Sequence, residues 1–406
     1  MNNEKLNFDG QTEFAGNFVL QNQKTSDDEG FSKVSKLWYD HTSSYEEGLK
    51  QIAVDQSKRT DLMVHPNDLS LVIEDKTIFL KVGETQHSMT NHAIGGFLRL
   101  ASRNMIGGMP ATGLLKKCTN SAEYFSTNQV KLTCPSESME ELFRKYLEVA
   151  EKELRDKEYL VRIQDGSVRA FLSENYETID NGWFIETLAN ILPNGRLSHF
   201  DKSTADTVCG NILISDTLLN DEDSDYGGML NITNCEIGTR RCGITPSIFR
   251  AICMNGCIWD QKKGEQFSVV HRGTINLDEL RDKMERHIAC QLDLIPEKVR
   301  AFLSAKQWKL TAKPSQVFAE IKKQLGLTKT AGLKMAQLWQ TEENGDKTAF
   351  AIMNGMTRGS QTLHPEDWDK VDRFVGTLIT KGEKAWNSFD SRAKTRSEDW
   401  VKKVLA

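Results

Sequence analysis

Four cysteines fall within 23 residues, Cys235, Cys242, Cys253 and Cys257, and four thiolates can hold a tetrahedral zinc. Their spacing argues against it. Six residues separate the first pair and three the second, where a zinc knuckle has two to four in both. Ile252 and Ile258 flank the second pair, and in such surroundings a free cysteine behaves as a small buried hydrophobe. The acidic run Asp221, Asp223, Asp225 invites a calcium reading. An EF-hand loop needs Gly at its sixth position and Glu at its twelfth, and those positions hold Tyr226 and Ile232. A solvated loop is expected instead. The eight histidines are scattered, and His87 and His92 are five apart, off a shared helix face. They are expected at surface or capping positions. No Gly-rich phosphate loop, zinc-protease or nucleophile-elbow motif occurs. No enzyme activity, metal or cofactor is therefore expected.

Charge carries more. The 406 residues hold 52 Lys and Arg against 57 Asp and Glu, net −5, which removes the simplest argument for nucleic acid. Local charge restores it. From Lys298 to Lys334 the net charge is +8 in 37 residues, through Lys306, Lys309, Lys313, Lys322 and Lys323 among others, with Trp308 inside the run. A second knot comprises Arg240, Arg241, Arg250, Lys262, Lys263 and Arg272. Basic surface with an aromatic suits a phosphate backbone and a stacked base. The competing reading is a solvated helical face with Trp308 in a core.

These residues must sit on elements. Leu69–Ile73 and Thr77–Val82 read as a hairpin, as do Tyr159–Ile163 and Val168–Leu172 around Asp165-Gly166. Helical periods run over Asn91–Arg103 and Ser138–Asp156, and Asp180 is placed to cap another. Val208–Ser215, Gly228–Ile232 and Cys235–Ile244 read as strands. Thr245-Pro246 reads as a helix start. Ser315–Gln340 has the outline of a helix-turn-helix, broken at Gly326. The expected fold is α+β: a mixed antiparallel sheet with packed helices, followed by a smaller helical C-terminal region. The expected divisions are an acidic, partly disordered arm over 1–50, an α+β core over 51–295, and a basic helical region over 296–406, with a boundary near Gln291–Pro296. No apolar run reaches the length of a bilayer span and residues 1–30 lack a signal-peptide core. A cytoplasmic protein without a membrane partner is expected, its eight cysteines reduced.

Asp165–Asn181 (DGSVRAFLSENYETIDN) resembles the DGxxRAFLSxxYxxxDN segment of a large phage- and plasmid-borne protein family of unassigned function. Asn234-Cys-Glu-Ile-Gly238 is similar to its NSExG segment. Phe249–Gly256 is similar to its RxxCxNG segment, and Ala349–Thr357 echoes it more weakly. Cys235 stands where the family has Ser, which further weakens zinc. The resemblance implies a host-cytoplasmic protein of a mobile element. The element order over Gly228–Trp259 is similar to the core of phage single-strand annealing recombinases. That likeness implies a homo-oligomer that holds single-stranded DNA in a basic groove and needs no cofactor. Within these motifs Arg169 joins Arg240, Arg241 and Arg250 as a candidate phosphate contact. Gly238 is expected to make a tight turn and Asn255-Gly256 a left-handed helix end. The leading expectation is a single-stranded DNA-binding protein that assists annealing, recombination or replication. The alternative is an inhibitor of a host defence or replication protein, its acidic segments imitating DNA.

Overall fold

The computed structural model describes residues 42–52, 58–102, 115, 117–119, 130–221, 224–250, 255–258, 267–363 and 365–396. The architecture is α+β, with helices following two sheets. Most of the arm, with Lys262, Lys263 and Cys253, lies outside the described residues. Its end forms helix α1 (Tyr45–Ile52).

The first sheet contains β1 (Arg59–Val64), β2 (Leu69–Glu74), β3 (Thr77–Val82), β4 (Thr85–Met89), β5 (Tyr159–Gln164) and β6 (Ser167–Ser173). Their order is β1-β5-β6-β4-β3-β2, antiparallel except for β4 on β6. Two tight turns set the registers. Asp75-Lys76 and Asp165-Gly166 each place both central residues at positive φ, the two-residue hairpin turn whose twist matches the strands. Helices α2 (Asn91–Ser102) and α3 (Glu137–Lys152) cover one face, with Phe97, Phe143 and Leu147 against Tyr159, Val161 and Phe171.

Helix α4 (Asn181–Ile191) leads to the second sheet: β7 (Gly195–Ser198), β8 (Thr207–Asp221), β9 (Ser224–Cys235), β10 (Cys242–Arg250), β11 (Asn255–Ile258) and β12 (Phe267–Val269). The order is β11-β10-β9-β8-β7, all antiparallel, and β12 pairs the start of β10. The acidic run therefore flanks the tip of the long β8–β9 hairpin, where Asp221 faces Ser224. Three sequence expectations fail here. Cys235–Ile244 is not one strand: β9 ends at Cys235, β10 starts at Cys242, and the residues between them form the turn that carries Gly238. Thr245-Pro246 lies inside β10 rather than opening a helix, and Asn255-Gly256 begins β11 rather than ending one. Among the described residues the outer edge of β10 is unpaired at Pro246, between the β12 pairing, which stops at Ile244, and the β11 pairing, which starts at Ser247, and a residue without an N–H is tolerated at such a gap.

Helix α5 (Leu277–Ser304) runs unbroken through the boundary expected near 291–296, with Pro296 inside it. Its first half sends Leu280, Met284 and Ile288 onto the second sheet. Its second half sends Ile295, Val299 and Phe302 into the C-terminal core. That core is built by α6 (Pro314–Leu325), α7 (Lys329–Glu342), α8 (Ala349–Ser360), α9 (Pro365–Lys381) and α10 (Glu383–Ala393). Gly326 ends α6 at φ 67° and Thr328 caps α7, so the αα-hairpin outline is correct. Tyr226 and Ile248 of the second sheet also enter this core.

Candidate nucleic-acid interface

The face of the first sheet opposite α2 and α3 packs on Cys235 and Ile237, and it buries charge where a strand would normally bury only apolar side chains. On β5, Leu160 and Arg162 point away from α2 and α3. The β5–β6 register shifts so that Ile163 faces Val168 and Arg162 faces Ala170. Arg169 is the extra residue of this bulge, and it emerges beside Arg162 on the same face.

Both arginines converge on Glu236, whose side chain is fully buried. Arg169 Nη2 donates to Glu236 Oε2 at 2.8 Å and its Nη1 to Asp206 at 2.7 Å. Arg162 donates to the Glu236 carbonyl at 2.8 Å and makes a two-pronged contact with Asp61. Arg59 adds a 3.3 Å ion pair to Glu236. Burial works against the Arg162 charge, but Asp61, Glu236 and Asp180 more than offset it, so its pKa lies above the ordinary arginine value. Glu236 also accepts the Asn181 N–H at 2.8 Å, at the positive end of α4. The cap of α4 thus comes from Glu236. Asp180 sits at the N-cap but makes no side-chain cap bond, and faces Arg162 instead.

The motif segments meet at this network. Asn234 donates to Ile179 and Asn181, and the Tyr176 hydroxyl donates to the Cys235 carbonyl at 2.9 Å. Gly238 turns at φ +80°, and a Cβ there would lie 3.2 Å from the Tyr176 ring. His271 stacks on that ring at 5.2 Å. Arg169, expected at a phosphate, is 4 % exposed and occupied by two carboxylates, so it belongs to the scaffold.

Other expected contacts are also withdrawn from solvent. Arg250 pairs with Glu343 at 2.6 Å and lies 5.4 Å over Phe350, joining the third motif to its C-terminal echo. Burial raises the Glu343 pKa against the opposing pull of Arg250. Trp308 is 6 % exposed, inside the C-terminal core, so it offers no stacking face. Its neighbour Lys306 is half-buried, 5.3 Å from the Phe350 centroid, and Lys322 is half-buried. His92, expected at a surface or capping position, is buried in α2 with Nε2 2.6 Å from the Ile237 carbonyl.

Arg240, Arg241, Arg272, Lys309, Lys313 and Lys323 are exposed. Arg272 lies on the rim of a cavity of about 370 Å³ with Arg155, Lys157, Ser173, Glu174 and Asn175. Three segments build it. Arg155 and Lys157 follow α3, the 173–176 turn follows β6, and Arg272 follows β12. The Gly273 N–H donates to the Asn175 carbonyl at 3.0 Å and holds the last two together. Lys157 pairs with Glu174 at 2.9 Å, and the same carboxylate accepts from Asn175. Counting runs of like charge misses Arg155 and Lys157, because Asp156 and Glu158 neutralise them in sequence. Their only sequence signal is proximity to the motif that ends β6.

Among the described residues no group of His, Cys, Asp or Glu is placed to hold a metal ion, and no helix is long and apolar enough to cross a membrane. Burial pushes up the Cys242 thiol. Comparison with protein families, with curated proteins and with solved structures finds no match.

Burial also holds His92, His271 and His287 below the ordinary histidine pKa, against carbonyl contacts from Ile237, Glu177 and Ile244. Arg99, Arg162 and Lys298 respectively act in the same direction as burial. The unfolded chain therefore binds more protons below about pH 6.5. Stability from these groups is complete above that pH and is lost as pH falls toward their folded pKa values. The urea midpoint is expected to drop between pH 7.5 and 5.5, and to drop less in His271→Gln. A midpoint that rises on acidification contradicts this.

Proposed function

We propose that this protein binds the phosphate backbone of single-stranded DNA without reading sequence, in support of annealing, recombination or replication on a mobile element. The observation that carries the reading is a cationic corner around the Tyr176 loop. The turn bearing Arg240 and Arg241 packs on Tyr176 through Gly238. The segment bearing Arg272 packs on it through His271. Arg155 and Lys157 complete the cavity beside it. The buried Glu236 network braces the β9–β10 turn, so these charges are presented by a stiff support. A preorganised cationic surface loses little conformational freedom when it meets a phosphate chain. Phosphate binding of this kind is electrostatic and needs no cofactor. The three motif segments support the mobile-element setting.

Arg240→Glu with Arg241→Glu is the test. The double variant is expected to weaken binding of a poly-thymidine oligonucleotide at least tenfold in fluorescence anisotropy, with circular dichroism unchanged. Each lost phosphate contact should also flatten the log–log salt dependence by about 0.7 for a single strand. Unchanged affinity with an unchanged slope overturns the assignment of this corner. A chain ending near Pro296 is not a usable control, because residues beyond it form one core with Tyr226 and Ile248. Charge reversal at exposed Lys309, Lys313 and Lys323 tests the C-terminal run instead.

A further inference from the structure

We infer that the cavity between Arg155, Lys157, Ser173, Asn175 and Arg272 is a receptor for a phosphate monoester, and that on a DNA strand its ligand is the terminal phosphate. The inference rests on the DNA-binding reading for the polymer, but the cavity argues for the monoester by itself.

The lining contains three cations and one carboxylate, Glu174, a net charge of +2. An internal phosphodiester carries one negative charge. A terminal monoester has a second pKa near 6 and carries close to two at neutral pH. The site charge therefore matches the end of a strand better than its middle. Two of the cations are arginines, whose planar forks bind phosphate oxygens in pairs. The Ser173 hydroxyl and the Asn175 amide add neutral donors. The volume of about 370 Å³ falls within the range of small-ligand clefts, about 300–1,000 Å³, and exceeds what a bare inorganic ion fills. A phosphate with its attached sugar fits that description.

Glu174 is informative because it works against this ligand. Its carboxylate holds Lys157 at 2.9 Å and accepts from Asn175 at 3.2 Å. It thus occupies two donors that the phosphate would use. Removing its charge should strengthen binding, whereas removing Arg272 should weaken it. A merely structural role for these exposed side chains gives no such opposition of sign.

The test uses the full chain and oligonucleotides of one sequence carrying a 5′-phosphate, a 3′-phosphate or two hydroxyl ends, with an internal fluorophore. Thymidine 5′-monophosphate serves as a competitor. One phosphorylated end is expected to bind about tenfold tighter than hydroxyl ends, the scale of one charge-assisted contact. Arg272→Gln should abolish that preference, Arg155→Gln should reduce it, and Glu174→Gln should enlarge it. All three positions are exposed, and circular dichroism of each variant checks the fold. Equal binding of all ends, unaltered by Arg272→Gln, overturns the inference while leaving DNA binding in place. Arg272-dependent binding of the mononucleotide with no oligonucleotide binding overturns the DNA reading instead, and identifies a free nucleotide as the ligand. Binding of neither overturns both.

Discussion

Glu236→Ala is expected to remove about 3–5 kcal/mol of stability, the cost of leaving buried charges without their partner. Three arginines approach this carboxylate, and Arg169 is itself almost fully buried. Without Glu236, Arg169 keeps only Asp206 and the Asn181 N–H at the start of α4 loses its acceptor. Glu236→Gln separates the two effects. It keeps an acceptor for Asn181 but removes the charge, so it should cost less than alanine and more than a surface change. Arg169→Gln should be comparably damaging. The double variant Glu236→Gln with Arg169→Gln should cost less than the sum of its parts, with a coupling above about 1 kcal/mol. Urea denaturation of the four proteins measures this. A Glu236→Gln protein within about 0.5 kcal/mol of wild type would show that the network is not what joins the first sheet to the second.

Gly355→Ala should be destabilising by about 1–3 kcal/mol, the usual range for overpacking a tight contact. Helix propensity pushes the other way, by at most about 1 kcal/mol. Packing decides the sign. An added Cβ at Gly355 would lie 2.6 Å from Trp339 Cβ, 2.9 Å from its Cα and 3.0 Å from its backbone N. These atoms cannot swing away, so α7 and α8 would have to separate. Gly359, one turn further on, meets Met335 Cγ at 2.6 Å and its Cα at 2.9 Å. Its alanine variant should be destabilising to a similar degree, since Met335 Cα, like Trp339 Cα, can move only with its helix. Gly182 is the control. It is helical, with nothing within 4 Å of an added Cβ, and its alanine variant should be neutral or stabilising. Thermal unfolding of the three variants checks the order. Gly355→Ala melting above wild type would mean that the two helices shift at little cost.

The elements legible from sequence were those fixed by local rules. Asp165-Gly166 announced its hairpin because few other pairs accept positive φ twice in succession. The apolar period of Met139, Leu142, Phe143, Tyr146, Leu147 and Ala150 marks α3, and all of these but the exposed Leu142 pack into the first core. The structure departs from the sequence reading at Cys235–Ile244, Thr245-Pro246 and Asn255-Gly256. Proline at a first helical position and proline at a gap in a strand's edge look alike until the partner strands are known.

The candidate site divides along the same line. Composition and charge runs by themselves determined that this chain carries basic segments within an acidic whole. They did not determine which cations reach solvent. Arg169 and Arg240 look equivalent in sequence. Only the β5–β6 bulge, which turns Arg169 inward onto Glu236, and the exposed β9–β10 turn, which carries Arg240 outward, separate them. Trp308 likewise reads as a stacking platform until α5 and α8 close over it. Arg155, Lys157 and Arg272 are more than a hundred residues apart at the extremes, and Asp156 and Glu158 neutralise the first two in sequence. Their common cavity exists because β5 and β6 return the chain to the end of α3 and because the Gly273 N–H meets the Asn175 carbonyl. Burial and convergence are properties of contacts distant in sequence, so no local pattern of residues could have specified them.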